Sequence, residues 1–325
     1  MTGLSDSFQR PVNYLRISVT DRCNLRCTYC MPACGVELAP HSEILRYEEL
    51  LLVAQAAASL GMDKLRLTGG EPLVRSNLTE LVAMLCRIEG IHDIALTTNG
   101  TLLARHASKL KEAGLKRVNV SLDSLRTERY QQITRAGRLD DALAGIQAAK
   151  DVGLDPVKVN MVVIRGVNDD EVVDFARLTL RDGWHVRFIE LMPFPGGDSH
   201  DFVSAGEIAE RILQLGHLEP CLSTHGNGPA KYFQLPGANG TVGFITPLSE
   251  HFCFNCNRMR LTADGKLRPC LLSDFEVDLK GPLRLGATIG DLQQLIRQAV
   301  AAKPERHQLA EGIPPTGRAM GQVGG

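Results

Sequence analysis

Residues 20–32 read TDRCNLRCTYCMP, with Cys23, Cys27 and Cys30 spaced C-x3-C-x2-C. Three thiolates are an odd number for a disulfide framework and one short of a closed tetrahedral metal site. An iron–sulfur cube held by three cysteines has an alternative, because its fourth iron stays open to a small molecule. A second triplet, Cys253, Cys256 and Cys270, lies in FCFNCNRMRLTADGKLRPCL (252–271), spaced C-x2-C-x13-C. His251, two residues before Cys253, is the best candidate to complete a zinc site there. Cys34 is near enough to the first triplet to be a fourth ligand, although the intervening MPA makes a poor ligand loop. Cys86 sits in an apolar helical pattern and reads as a small core residue.

The rest of the composition is that of a soluble globular chain of 325 residues, with 44% hydrophobic and 22% charged side chains. Lys and Arg total 36 against 37 Asp and Glu, so no net field recruits nucleic acid or an anionic membrane, and an anionic ligand needs a local cluster of cations. No apolar run approaches the ~18 residues of a membrane span, and the N-terminus lacks a secretory pattern. Nine cysteines without such a signal indicate a reducing compartment, with the cytoplasm as the default.

Working outward from the first triplet, six β-rich runs alternate with helical patterns: 14–20, 64–70, 93–100, 117–123, 156–166 and 185–193. Strands alternating with helices imply βα units and a parallel sheet. Alternate strand residues share a face, and one face collects Arg16, Ser18, Thr20, Lys64, Arg66, Thr68, Thr97, Asn99, Asn119, Ser121, Asp123, Lys158 and Asn160. The other carries Ile17, Val19, Leu65, Leu67, Val118, Val120, Val157 and Val159. A parallel sheet covered on both faces should be apolar on both. A polar face repeated over five strands therefore lines a wet or charged interior, as in a barrel with its helices outside. Six strands rather than eight make that barrel incomplete. After Met192, PFPGGDS (193–199) reads as a boundary loop, SAGE (204–207) as the capped start of a helix, and the glycine-rich stretch after it as a hairpin. The expected division is a partial barrel over 1–195 and a smaller α+β region over 196–325, ending in an extended tail.

C-x3-C-x2-C together with the GGEP of KLRLTGGEP (64–72) resembles the radical S-adenosylmethionine (SAM) superfamily. Together, RISVTDRCNLRCTYCMP, RLTGGEPLVR, TTNGTLL, VNVSLDSL, the second cysteine motif and the terminal Gly-Gly resemble the GTP 3′,8-cyclase family of molybdenum cofactor biosynthesis over essentially the whole chain. The resemblance implies a partial (βα)6 barrel and two [4Fe–4S] clusters. Cys23, Cys27 and Cys30 would hold the first, with SAM as the missing ligand, and Cys253, Cys256 and Cys270 would hold the second, whose open iron meets guanine. SAM would further contact Tyr29, Gly70, Ser121 and Met192. GTP would contact Arg16, Arg66, Thr97, Lys158, Arg258, Met259 and Arg260, and Gly324 and Gly325 would reach into the site. No side chain is expected to be catalytic in itself, because the radical comes from cluster-bound SAM. An electron donor, the next enzyme of the pathway and a second copy of the chain are the further partners the resemblance implies. A bulky residue added after Gly325 would then abolish turnover with both clusters intact. The closest alternative is a peptide-modifying radical SAM maturase, and a zinc or electron-transfer module is the non-enzymatic one.

Overall fold

The computed structural model describes residues 3–197, 201–222, 228–311 and 313–324. Six parallel strands run in chain order: β1 (Tyr14–Ser18), β2 (Lys64–Thr68), β3 (Asp93–Thr98), β4 (Arg117–Ser121), β5 (Val157–Val163) and β6 (His185–Glu190). Their crossovers carry α1 (Tyr47–Ser59), α2 (Leu78–Leu85), α3 (Leu103–Glu112), α4 (Thr127–Thr134), α5 (Leu139–Asp151) and α6 (Val172–Arg181). The strands end two or three residues before the β-rich runs do. The residues left over leave the ladder and form the loops at its C-terminal rim, the face where such folds assemble their sites.

Beyond α7 (Ala205–Ile212), the chain extends this same sheet at both edges. On one side β7 (Glu219–Pro220), β8 (Lys231–Gln234) and β9 (Val242–Ile245) follow, with β8 and β9 forming the expected hairpin and β9 parallel to β6. On the other, β10 (Arg258–Leu261) lies parallel to β1, and β11 (Lys266–Arg268) and β12 (Val277–Asp278) add antiparallel strands. The result is an open twelve-stranded α/β sheet with a six-strand parallel centre. The short α8 (Lys280–Arg284) leads to α9 (Ile289–Ala301), which packs on α1, and the last turn is α10 (Met320–Val323). Ser204 caps α7 by accepting from the Glu207 N–H, as SAGE implies. Residues 198–200 of the expected boundary loop lie outside the described residues. No helix among the described residues is long and apolar enough to cross a membrane.

The two strand faces separate as their parity requires. Ile17, Val19, Leu65, Leu67, Val118, Val120 and Val159 are buried with the inward sides of the helices in one continuous core. Register aligns the opposite face across strands: Arg260 beside Arg16, Arg16 beside Arg66, Asn119 beside Lys158 and Asn160 beside Arg187.

Glu71 bolts the rim of β2 to that of β3. Its buried carboxylate accepts from Thr98 Oγ1 (2.7 Å), the Asn99 N–H (2.7 Å) and the Leu73 N–H (3.0 Å). Burial nevertheless raises its pKa to about 7, outweighing these three donors. An unfolded glutamate titrates near 4.3, as a rough reference, so the folded chain holds this proton more tightly. The stabilisation is complete below the unfolded value and is lost as pH rises through 7. Between pH 5 and 8 the stability of the wild type relative to Glu71→Gln should therefore fall, by at most about 3 kcal/mol. Chemical denaturation at several pH values measures this, and a pH-independent difference would refute the assignment.

Candidate active site

The first cysteine loop is moulded onto the ends of β1 and β2. The Gly70 and Glu71 N–H groups donate to the Thr20 and Arg22 carbonyls, both at 2.8 Å. A Cβ on Gly70 would lie 2.4 Å from Arg22 O, and one on Gly69 2.6 Å from Thr20 O. GGEP therefore needs its glycines because the cysteine loop's own backbone occupies that space. From the other side the Arg26 and Thr28 N–H groups donate to the end of α4. Tyr29 Oη donates to Asp123 (2.7 Å), whose second oxygen accepts from the Val162 N–H (2.9 Å). The loop is thus held by hydrogen bonds to β2, α4 and Asp123.

The two triplets differ electrostatically. Burial pushes Cys23 up to about 11, Cys30 up to about 12 and Cys27 well up, with neighbouring thiols and carboxylates adding to the rise. These thiols hold their protons until a positively charged group takes their place. For Cys256, burial acts upward too, but Arg258 and then Lys303 outweigh it and bring the thiol down to about 6. Cys253 is raised, chiefly by burial. Members of each triplet influence one another's ionisation, so each forms a group. Among the described residues, however, no three His, Cys, Asp or Glu side chains converge as a single metal ion requires. Three thiols without a fourth protein ligand are a donor set that suits a cube whose fourth iron stays open, whereas a structural zinc site takes four.

All six cysteines line one cavity at the barrel mouth, together with Arg16, Tyr29, Arg66, Gly70, Thr97, Ser121, Met192, Arg258 and Arg260. Arg66, Arg258 and Arg260 make no ion pair with a carboxylate among the described residues. By contrast Arg318, behind the site, bridges Asp264 and Glu276. Arg66 Nε and Thr97 Oγ1 are buried without a hydrogen-bond partner. Burial lowers Arg16 well below the usual arginine range, and Arg260 and Arg66 lower it further. Arg260 falls to about 9, through burial and then Arg258. Crowded, buried guanidiniums of this kind form a receptor for a multiply charged anion.

The tail closes the mouth. Arg260 donates to Gly324 O (2.6 Å), and the Gly321 N–H bonds to the Cys30 sulfur. Val323 and Met320 pack with Phe194, Leu272, Met192 and Cys270 in a small cluster separate from the main core. The tail is therefore docked and ends in a helical turn, instead of running extended.

Several expectations need adjustment. Met259 faces away from its neighbours Arg258 and Arg260, into the core, so its side chain is turned from the cavity. Lys158 shares the polar face but lies deeper, donating to Tyr232 Oη at 3.0 Å. His251 stacks edge-on against His307 and joins no metal-binding group among the described residues. Cys34 is exposed and does not line the cavity, and Cys86 is an exposed helix end instead of a core residue. Gly325 lies outside the described residues. Sequence reasoning missed Arg187, which lines the cavity and donates to Asn160 and Asn119. Strand parity extended to β6 reveals it. It also missed Glu71 as a bolt, and Lys303, whose setting AAKPER does not betray.

Comparison with known proteins agrees with this geometry. Residues 17–179 match the family model of the Radical SAM superfamily, and 184–309 that of Molybdenum Cofactor Synthesis C. The GTP 3′,8-cyclases of Pelotomaculum thermopropionicum and Moorella thermoacetica are 57% and 54% identical to the chain, over 99% of it and the full length of each relative. The crystal structure of Streptococcus suis SuiB has a TM-score of 0.60 at 14% identity, over 80% of this chain and 60% of that one, a likeness of fold alone. An open parallel half-barrel with its cysteine loop at the rim is the architecture of the radical SAM class. The chain belongs to that superfamily and, within it, to the GTP 3′,8-cyclase family.

Replacing Cys253, Cys256 and Cys270 together by Ser should lower the iron of anaerobically reconstituted protein from about eight to about four atoms per chain. His251→Ala should leave it at about eight, and zinc in either triplet would count against the assignment.

Proposed function

We infer that the cavity is the active site of a GTP 3′,8-cyclase, a lyase that uses SAM and two [4Fe–4S] clusters. The reaction converts GTP to (8S)-3′,8-cyclo-7,8-dihydroguanosine 5′-triphosphate, the first step of molybdenum cofactor biosynthesis. One observation carries the residue assignments: both cysteine triplets and the arginines without carboxylate partners line the same cavity. When bound, SAM and its cluster would supply a 5′-deoxyadenosyl radical able to take the C3′ hydrogen atom of the ribose as 5′-deoxyadenosine.

The residues of the chain position and enclose. Cys23, Cys27 and Cys30 hold the cluster that binds SAM, and Cys253, Cys256 and Cys270 hold the one that receives guanine. Tyr29, fixed by Asp123, presents its backbone to the adenine of SAM, and Gly70, Ser121 and Met192 complete that end. Arg16, Arg66, Thr97, Arg258 and Arg260 grip the triphosphate, with Met259 contributing backbone alone. Lys158 joins them from below, hydrogen-bonded to Tyr232. Anchoring GTP by its phosphates and its base holds the ribose at the ~3–3.5 Å that radical transfer needs. Gly324 shuts this space, where a side chain would intrude, and the role proposed for Gly325 rests on the family resemblance alone. Residues 1–195 and 196–325 thus serve as the SAM and base-anchoring parts of one site. The enzyme acts in the cytoplasm, draws on an electron donor and passes its product to the next enzyme of the pathway. A second copy of the chain is a further proposed partner.

Anaerobic, iron-reconstituted protein with SAM and dithionite should form 5′-deoxyadenosine much faster with GTP than without nucleotide. Slow formation indifferent to GTP would overturn the substrate assignment. Arg66→Ala removes charge-assisted hydrogen bonds worth about 1.5–3 kcal/mol, so GTP binding should weaken about 10- to 150-fold with iron content unchanged. Gly324→Val should stop turnover with both clusters retained, since a Cβ there would lie 2.8 Å from Thr68 Cγ2 and 3.2 Å from Ser18 Cβ at a φ of +77°. Normal turnover in that variant would remove the tail from the site.

A further inference from the structure

Lys303 follows the C-terminus of α9, outside the barrel, and is only 2% exposed. Its ammonium has three donors, and three acceptors meet it: Pro269 O at 2.7 Å, Arg258 O at 2.9 Å and Cys256 Sγ at 3.4 Å. Pro269 immediately precedes Cys270, and Arg258 opens β10 two residues after Cys256. One side chain therefore joins the two ends of the β10–β11 hairpin that carry Cys256 and Cys270. The segment bearing Lys303 is itself fixed by a second buried cation. Arg10, paired with Asp6 at 2.5 Å, donates to Pro304 O, Glu305 O and Cys253 O, each at 2.7 Å. Among the described residues the first triplet has no such cation against its sulfurs: Cys23 and Cys30 receive backbone N–H groups from Leu25 and Gly321.

A buried lysine that only tied carbonyls together would have no need of the sulfur. We propose that Lys303 is a positioning residue of the second cluster, holding Cys256 and the Cys270 end at a common distance and setting the cluster's redox balance by donating from a cationic nitrogen to the Cys256 sulfur. The inference rests on the reading of the second triplet as a cluster site. A positive charge and an N–H···S bond both favour the more reduced, more negative cluster. The asymmetry between triplets then has a purpose: a base-anchoring cluster kept at a higher potential than the electron-donating one.

The test uses the full chain with Cys23, Cys27 and Cys30 replaced by Ser, so that iron and paramagnetic signals report the second triplet alone. In that background Lys303→Met should still load about four irons per chain. Its midpoint, from a potentiometric titration followed by electron paramagnetic resonance, should be more negative, and its iron should leave faster to a chelator. Lys303→Arg, which keeps the charge, should stay close to the parent in midpoint. A Met variant that loads no iron but keeps the parent's circular dichroism, beside an Arg variant that does load, would equally support the holding role. A Met variant with the parent's midpoint and release rate would overturn the proposal. So would an Arg variant shifted as far as Met, or failure of both variants to load. If the parent background itself binds no iron, the second-cluster reading falls and this inference falls with it.

Discussion

Arginines crowd the inside of the half-barrel with neutral groups between them. Arg260, Arg16 and Arg66 lie side by side in the register of β10, β1 and β2 and repel one another, and Arg187, from β6 across the interior, is destabilised as a cation by burial and by Arg66. Burial compounds this by removing the water that would screen them. Such a face cannot stabilise a fold. The opposite face of the same strands does, with its aliphatic side chains buried beneath the helices in one continuous core. The sheet is therefore asymmetric by necessity: one side holds the molecule together while the other carries an unfavourable concentration of charge that an anionic ligand relieves. Neutral acceptors, Asn119 and Asn160 for Arg187 and Tyr232 for Lys158, give these cations direction without neutralising them.

The same asymmetry explains what could be read in advance. Strand parity is a local property, so the polar interior and the apolar exterior were visible wherever a strand alternated, and Arg16, Arg66 and Thr97 followed from it. Arg187 obeys the same rule and was missed only because β6 was left out of the count. Met259 shows the rule's other side. A residue between two cavity-facing arginines on a strand has to face the core. An apolar helical pattern does not say where the helix ends, and Cys86, the residue after buried Leu85 at the end of α2, is exposed. Lys303 and Glu71 had no local signal. The partners of Lys303 stand 34 to 47 positions away in the chain, and a buried cation before a proline looks like any lysine at a helix end.

Neither end of the chain is ornamental in this arrangement. Arg10 ties the N-terminal segment to the loop of the second triplet, while Gly321 and Gly324 tie the C-terminal segment to Cys30 and Arg260. Each terminal segment thus reaches the triplet encoded nearer the opposite end. The two cysteine loops, far apart in sequence, come to share one cavity because β10 lies beside β1 and directs both to the same rim.

That pairing has a consequence for how the molecule is made. The outer edge of β1 has no partner until β10 exists, since Tyr14 pairs with Arg258 and Ile17 with Leu261. During synthesis the first strand must therefore wait, with an open hydrogen-bonding edge, until most of the chain has left the ribosome. Contacts so distant in sequence form slowly, and open strand edges invite pairing with other chains. Cys253 and Cys256 emerge just ahead of β10 and Cys270 just behind β11, so the step that seals the sheet is also the step that gathers the second set of thiols.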